Sequence, residues 1–303
     1  MNTFMFEKTR NFLESINLPS GDQYSLHSSE KRFPDGSHFG IEVPTVNDIT
    51  TAQALLEECK YLGVTINRMI ETYGMFRHTA AEIKSFVKLC QDYSCELVMS
   101  TGPRAVYDTS ATAKCDDGKR IGYRLRGQEQ LVRAIEDIKR GIELGVQNFV
   151  IYDEGLLWTL GKMRAAQELP GHIRFKVSAH CGHANAAALK LLESIGADSI
   201  NPVRDLQLPM IASLRSAVNI PIDCHVDCPP SSGGFVRSYE AAEIVRIASP
   251  VYLKTGNSVL SRHGQGTNAQ DGKAMARQVA IVSEMMQRYF PEAIQSPNKQ
   301  KKK

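Results

Sequence analysis

From residue 37 onward, short apolar runs alternate with stretches whose apolar residues recur at helical spacing. The runs read as strands: HFGIEVP (38–44), TINRMIE (65–71), CELVMST (95–101), NFVIYDEG (148–155), RFKVSAH (174–180), DSINPV (198–203), PIDCHVD (221–227) and VYLKTGN (251–257). An amphipathic segment follows each, at 48–63, 79–93, 127–145, 156–169, 184–196, 207–218, 238–248 and 268–290. Strands that alternate with helices imply a parallel sheet, and eight units of this size fit a closed (β/α)8 TIM barrel of the α/β class. A doubly wound open sheet is the rival. It would carry a Gly-rich dinucleotide fingerprint after its first strand, and EVPTVND (42–48) has none. Residues 1–36, with Phe4, Phe6, Phe12, Leu13 and Ile16, are expected as a helical extension that caps the bottom of the barrel. The barrel is expected over 37–292, and a disordered basic tail over 293–303.

Side chains of a barrel strand alternate between lumen and helix layer. On strand one, Phe39, Ile41 and Val43 take the helix side and leave Glu42 inward. Strand two places Asn67, Met69 and Glu71 on one face. Strand five turns Lys176, Ser178 and His180 inward, and strand six Asn201. Strand seven contributes Asp223, His225 and Asp227, and strand eight Tyr252 and Lys254. On strand four, Asp153 and Glu154 have opposite parity but both lie at the C-terminal end. An ordinary barrel interior is filled with branched apolar side chains, and catalysis in this fold resides at the C-terminal ends of the strands. Polar groups on a buried face are costly unless paired or ligated. Their concentration here predicts an enzymatic site at the C-terminal mouth. The segment 102–126, after strand three, is too long for a plain connection and lies on that same side.

Three chemistries suit these residues. His180, His225 and Asp227 or Glu154 have the composition of a divalent-metal site for zinc, manganese or ferrous iron, with Glu42 and Glu71 completing the shell or serving as base. Lys254 or Lys176 would alternatively act as a Schiff-base nucleophile, its pKa lowered by burial and a second cation. The third possibility is metal-free general acid–base work by the Asp, His and Glu set. Backbone amides after strands seven and eight are a usual anion-binding place in such barrels. Ser232, Gly233 and Gly234, with Thr255 and Gly256, are therefore expected to receive a carboxylate or phosphate, and Asn201 and Arg204 are further candidates for substrate binding.

Composition narrows the class. The chain has 303 residues, 36 basic and 33 acidic, for a net charge of +3, and the last six residues supply four of the lysines. The body is nearly neutral, so nucleic acid is not expected as a partner. Seven cysteines without a Cys-x-x-Cys pair indicate neither a disulfide framework nor structural zinc. No signal peptide or membrane-length apolar run is visible, which places the chain in the cytoplasm.

The stretch VSAHCGHANAAALKLLESIGADSINPVRDLQLPMIASLRSAVNIPIDCHVD (177–227), with DEGLL (153–157) and YLKTGNS (252–258), resembles the collagenase-like peptidase family U thirty-two. The likeness covers about residues 148–260. It implies a TIM barrel with its site at the mouth and a hydrolase by label; with the loop residues above, a small anionic substrate or a peptide is expected. One branch of that family resembles oxygen-independent hydroxylases of RNA and quinones, which hold a cluster through several cysteines. Here only Cys224 and Cys228 stand near that position and no cysteine follows, so an iron–sulfur cluster is not expected. The leading expectation is metal-assisted chemistry. A Schiff-base lyase or aldolase and an RNA-modification partner using the basic tail are the alternatives, and assembly into a homo-oligomer is left open.

Overall fold

The computed structural model of the chain describes residues 5–102, 115–119 and 122–297. Eight parallel strands close into one barrel in sequence order: β1 (Phe39–Val43), β2 (Arg68–Glu71), β3 (Glu96–Ser100), β4 (Asn148–Ile151), β5 (Arg174–Val177), β6 (Ser199–Ile200), β7 (Ile222–His225) and β8 (Val251–Lys254). Closure is made by β1 against β8, with Glu42 opposite Lys254. The expected (β/α)8 architecture is the observed one. Outside the barrel lie α2 (Ile49–Tyr61), α3 (Ala80–Asp92), a short α4 (Asp116–Lys119) and α5 (Gly127–Glu143). They are followed by α6 (Glu154–Ala165), α7 (Ala186–Ser194), α8 (Leu208–Ala217), α9 (Ala241–Ala248) and α10 (Ala269–Tyr289).

Local chemistry sets the turn from strand to helix. Asp48, Asp153 and Asn185 accept from Thr50 N (2.8 Å), Leu156 N (3.0 Å) and Ala188 N (2.9 Å), satisfying amides that a helix start leaves unpaired. Thr79 with Glu82 and Asn268 with Asp271 form reciprocal capping boxes on α3 and α10. The helix-facing residues Ile41, Val43, Met69, Phe149, Phe175 and Leu253 join one outer core, each fully or almost fully buried. Within it α10 packs closely on α2, because Gly272 has no side chain. A Cβ there would stand 2.4 Å from Thr51 O.

Three expectations are corrected. The N-terminal helix α1 (Glu7–Ser15) forms but buries no residue, leaving Phe6 and Phe12 70% and 62% exposed. The bottom is closed instead by Phe33, edge-on to Tyr252 at 5.1 Å, and by residues 294–296. Those residues are not a loose tail: His38 N donates to Ile294 O (2.8 Å), Ser296 N to Phe39 O (2.7 Å) and Asn67 Nδ2 to Ser296 O (2.6 Å). Residues 298–303, and 103–114 of the long loop, lie outside the described residues. Finally, β2 has the opposite parity from that expected. Met69 enters the outer core, so Arg68 and Ile70 face the lumen. A one-residue change of register exchanges the faces of a whole strand. Among the described residues, no helix is long and apolar enough to cross a membrane.

Candidate active site

Seen from the bottom of the lumen upward, the first charged group is Arg68. Its guanidinium lies 3.7 Å from the Tyr252 ring centroid and pairs with Glu96 (3.2 Å), Glu42 (3.3 Å) and Asp223 (3.5 Å). Above it, Lys176 bridges Glu42 (3.1 Å) and Asp223, and Ser199 donates to Asp223 (3.1 Å). Lys254 stands at the end of β8, with Nζ 3.1 Å from Glu42 Oε1 and donating to Asn201 Oδ1 at 3.1 Å. Asn201 is oriented in turn by donating to Asp223 O (2.7 Å) and Pro202 O (3.2 Å). Glu42 thus faces three cations. Burial alone would raise its pKa, but Lys176, Lys254 and Arg68 overrule that and bring it down to about 2. Burial works the other way on Lys254. Opposed by Glu42 and assisted by Lys176, it lowers the ammonium from its ordinary value of 10.5 to about 8.

His225 is opposite Lys254 in the β7–β8 register. Its Nδ1 is 3.1 Å from Asp227 O, and its Nε2 is buried with no hydrogen-bond partner among the described residues. Burial, then Lys254 and Arg204, hold its pKa well below the ordinary imidazole range, so the ring is neutral. His180 is not on β5 but in the short turn Ala179–Cys181 at the rim. Its ring stacks on Tyr123 (4.3 Å between centroids), which also stacks on Tyr152 (4.9 Å). Arg204 Nη2 is 3.2 Å from His180 Nε2. A guanidinium only donates, so that nitrogen is the acceptor.

The three expected metal ligands do not converge. Both Asp227 oxygens accept from the loop after β8: Thr255 Oγ1 and Gly256 N (2.9 Å each), Asn257 N and Ser258 Oγ (3.0 Å each). The His180 Nε2 lone pair points at Arg204, and His225 lies in the field of Lys254, Arg204 and Lys176. A divalent cation would find the His180 and Asp227 donors already engaged and His225 Nε2 set among positive charges. Among the described residues, no group of three or more His, Cys, Asp or Glu is placed to hold a metal ion. This donor set does not fit zinc, manganese or ferrous iron.

Of the two residues expected to receive an anion after β8, the Gly256 amide does form part of a nest, with the Asn257 amide and the Thr255 hydroxyl, while the Thr255 amide donates to Glu42 O (3.0 Å). The anion in the nest is the chain's own Asp227. Burial raises the Asp227 pKa above the ordinary carboxylate value, and the four donors restrain that rise. The amides of Ser232, Gly233 and Gly234 are engaged in their own turn, donating to Pro229 O or Pro230 O at 2.8–3.2 Å. Glu71 lies under the β2 loop rather than in the lumen, accepting from Gly74 N (2.8 Å) and Tyr73 N and lying 3.2 Å from His78 Nε2. Glu154 opens α6 and pairs with Arg124 and, at 2.5 Å, with His183. Arg124 also donates to Cys181 O (2.9 Å), so this cluster ties the end of the long loop to the mouth.

Of the candidates, Glu42, Lys176, Asn201, His225 and Lys254 are brought together, with Arg204 and His180 at the rim. Arg68, Tyr123 and Tyr152 escaped sequence reasoning. Alternation gives no clue to Arg68, because the apolar Met69 and Ile70 stand on opposite faces of β2.

No family model matches the chain, and no curated protein matches it. Among solved structures it is similar to the homocysteine methyltransferase MmuM from Escherichia coli, oxidized form, at 11% identity and TM-score 0.50, covering 80% of this chain and 97% of that one. It is also similar to the native KDPGal structure (12% identity, TM-score 0.49, 87% and 99% covered). The U32 peptidase Mk0906 matches at 13% identity and TM-score 0.43, with 77% and 97% covered. At these identities the likeness shows the barrel fold alone, and the resemblance to the collagenase-like peptidases extends no further than that.

Proposed function

We propose that the chain is a Schiff-base enzyme acting on a small anionic carbonyl compound, with Lys254 as the nucleophile. The observation that carries this reading is the desolvated Lys254 amine at the C-terminal end of β8, held between Glu42 and Asn201 (3.1 Å each) with its pKa lowered to about 8. An amine attacks a carbonyl only when unprotonated, and burial beside another cation is the established way to supply that form near neutral pH. Asn201 aims the amine. Its carbonyl oxygen accepts a hydrogen bond from Nζ while its amide is anchored on β7 and on Pro202. Attack gives a carbinolamine, and loss of water leaves the iminium on Nζ. Arg204 at the rim, with no carboxylate among its hydrogen-bond partners in the described residues, suits the substrate's negative group. Metal-assisted hydrolysis is not carried forward, because its ligand set does not assemble.

Sodium borohydride reduction in the presence of pyruvate, glyoxylate or dihydroxyacetone phosphate, followed by peptide mass spectrometry, tests the reading. A secondary-amine adduct is expected on Lys254, to persist in Lys176→Arg and to vanish in Lys254→Arg. The trapping rate should rise with pH through an inflection near 8, as the amine loses its proton. Adducts confined to surface lysines, or unchanged in Lys254→Arg, would sink it.

A further inference from the structure

Nothing in the formation of an iminium uses His225, yet this ring is fixed in one tautomer. Its Nδ1 meets a backbone carbonyl, Asp227 O, at 3.1 Å. A carbonyl oxygen accepts only, so in the neutral ring Nδ1 carries the proton and Nε2 the lone pair. That lone pair is buried and receives no donor among the described residues. Leaving a buried acceptor unsatisfied is costly, and proteins seldom do so without a reason. The ring neighbours Lys254 in register, and adjacent strands run about 4.8 Å apart. Both residues are lumen-facing at the end of their strands. A group attached one or two bonds from an iminium on Lys254 is therefore within reach of the imidazole.

Resting on the Schiff-base reading, we infer that His225 Nε2 is the catalytic base that takes a proton from the group next to the imine, and that the substrate is a β-hydroxy carbonyl acid cleaved by a reversible aldol step. An acceptor-only nitrogen selects a partner that donates, as a substrate hydroxyl does. A substrate that offered an anion to this nitrogen would be refused, and its negative group goes to Arg204 instead. In the cleavage direction the hydroxyl proton passes to Nε2 while its oxygen becomes the carbonyl of the departing aldehyde. The carbon–carbon bond breaks, and its electron pair flows into the iminium to give a neutral enamine on Lys254. The imidazolium then returns its proton to the enamine carbon, and water hydrolyses the resulting iminium to free the keto acid and the amine. The water lost on forming the imine is regained, and no oxidant or reductant is needed.

Pyruvate in deuterium oxide separates this inference from the reading beneath it. Its ketimine carries acidic methyl hydrogens, so proton removal by His225 shows as methyl deuteration by NMR, while borohydride trapping reports imine formation alone. The wild-type protein should do both. His225→Gln should still be trapped on Lys254 but exchange about 100-fold more slowly, the usual contribution of a general base. Added imidazole should restore exchange to His225→Ala. Trapping without loss of exchange in His225→Gln overturns the role of His225. So does loss of trapping and exchange together with no rescue by imidazole, since the ring would then only hold the site in shape. Failure of the wild-type protein to be trapped overturns the Schiff-base reading itself, and the inference falls with it.

Discussion

The lumen of this barrel has two unlike halves. On the side of β2–β4, Ile70, Val98, Val150 and Tyr152 form a small apolar cluster, each at most 3% exposed. On the side of β5–β8 and β1, the same depth holds Lys176, Ser199, Asn201, Asp223, His225, Lys254 and Glu42, with Arg68 reaching across from β2. Both halves share one sheet, one closure and one degree of burial. The apolar half demonstrates that this barrel can be filled in the ordinary way, so closure does not demand the charges opposite. Replacing a buried ion network with well-packed apolar groups is often neutral or stabilising, whereas removing one partner is strongly destabilising. A network kept under those terms points to chemistry rather than to stability.

The contrast can be broken by substitution. The largest effect on folding is expected from Glu42→Gln, which leaves Arg68, Lys176 and Lys254 facing one carboxylate fewer. A loss of about 3–5 kcal/mol is expected in urea unfolding. The pH dependence should change with it. A carboxyl depressed to about 2 in the folded state contributes stability that is complete above its ordinary value of 4.5 and is lost as the pH falls from there toward 2. Wild-type stability should decline across that window, and the Glu42→Gln curve should be flatter there. Equal slopes would mean that Glu42 is not the ionised hub.

An intermediate effect is expected from Asp227→Ala, which empties the nest formed by Thr255, Gly256, Asn257 and Ser258. A loss of about 2 kcal/mol is expected from the broken charge-assisted hydrogen bonds. Inorganic phosphate should raise the melting temperature of this variant and leave that of the wild-type protein unchanged. A rise of the same size in both would show that the nest is open to anions in the native chain. The smallest effect belongs to the apolar half: Ile70→Val should cost about 1 kcal/mol, with no effect on borohydride trapping at Lys254. A loss there as large as that of Glu42→Gln would erase the distinction between the halves.

Much of the barrel is legible along the chain because its signals are local. Alternation with period two, pinned by Phe39, Ile41 and Val43 on β1 or by Val251 and Leu253 on β8, leaves Glu42 and Lys254 no face but the lumen. The TINRMIE stretch lacks that pin, with apolar residues on both parities, so alternation does not assign Arg68 to the lumen. RFKVSAH alternates to its end and so reads as strand through His180, but the strand stops at Val177 and the chain turns. The amides of the β8 loop were recognisable as a nest. What fills it was not, since Asp227 lies some thirty residues earlier and meets them only when β7 and β8 pair.

By itself, then, the order of residues determined eight strand–helix units, the closed parallel barrel, and which polar side chains on the well-patterned strands would be forced inward. The tertiary structure alone decided who partners whom: that Glu42 gathers three cations, that Asp227 fills the nest of the β8 loop, and that His225 Nε2, beside Lys254, has no hydrogen-bond partner among the described residues. The division has a physical cause. Facing direction is a property of one strand and repeats every two residues, whereas a side chain's partner depends on the stagger between strands far apart in the chain.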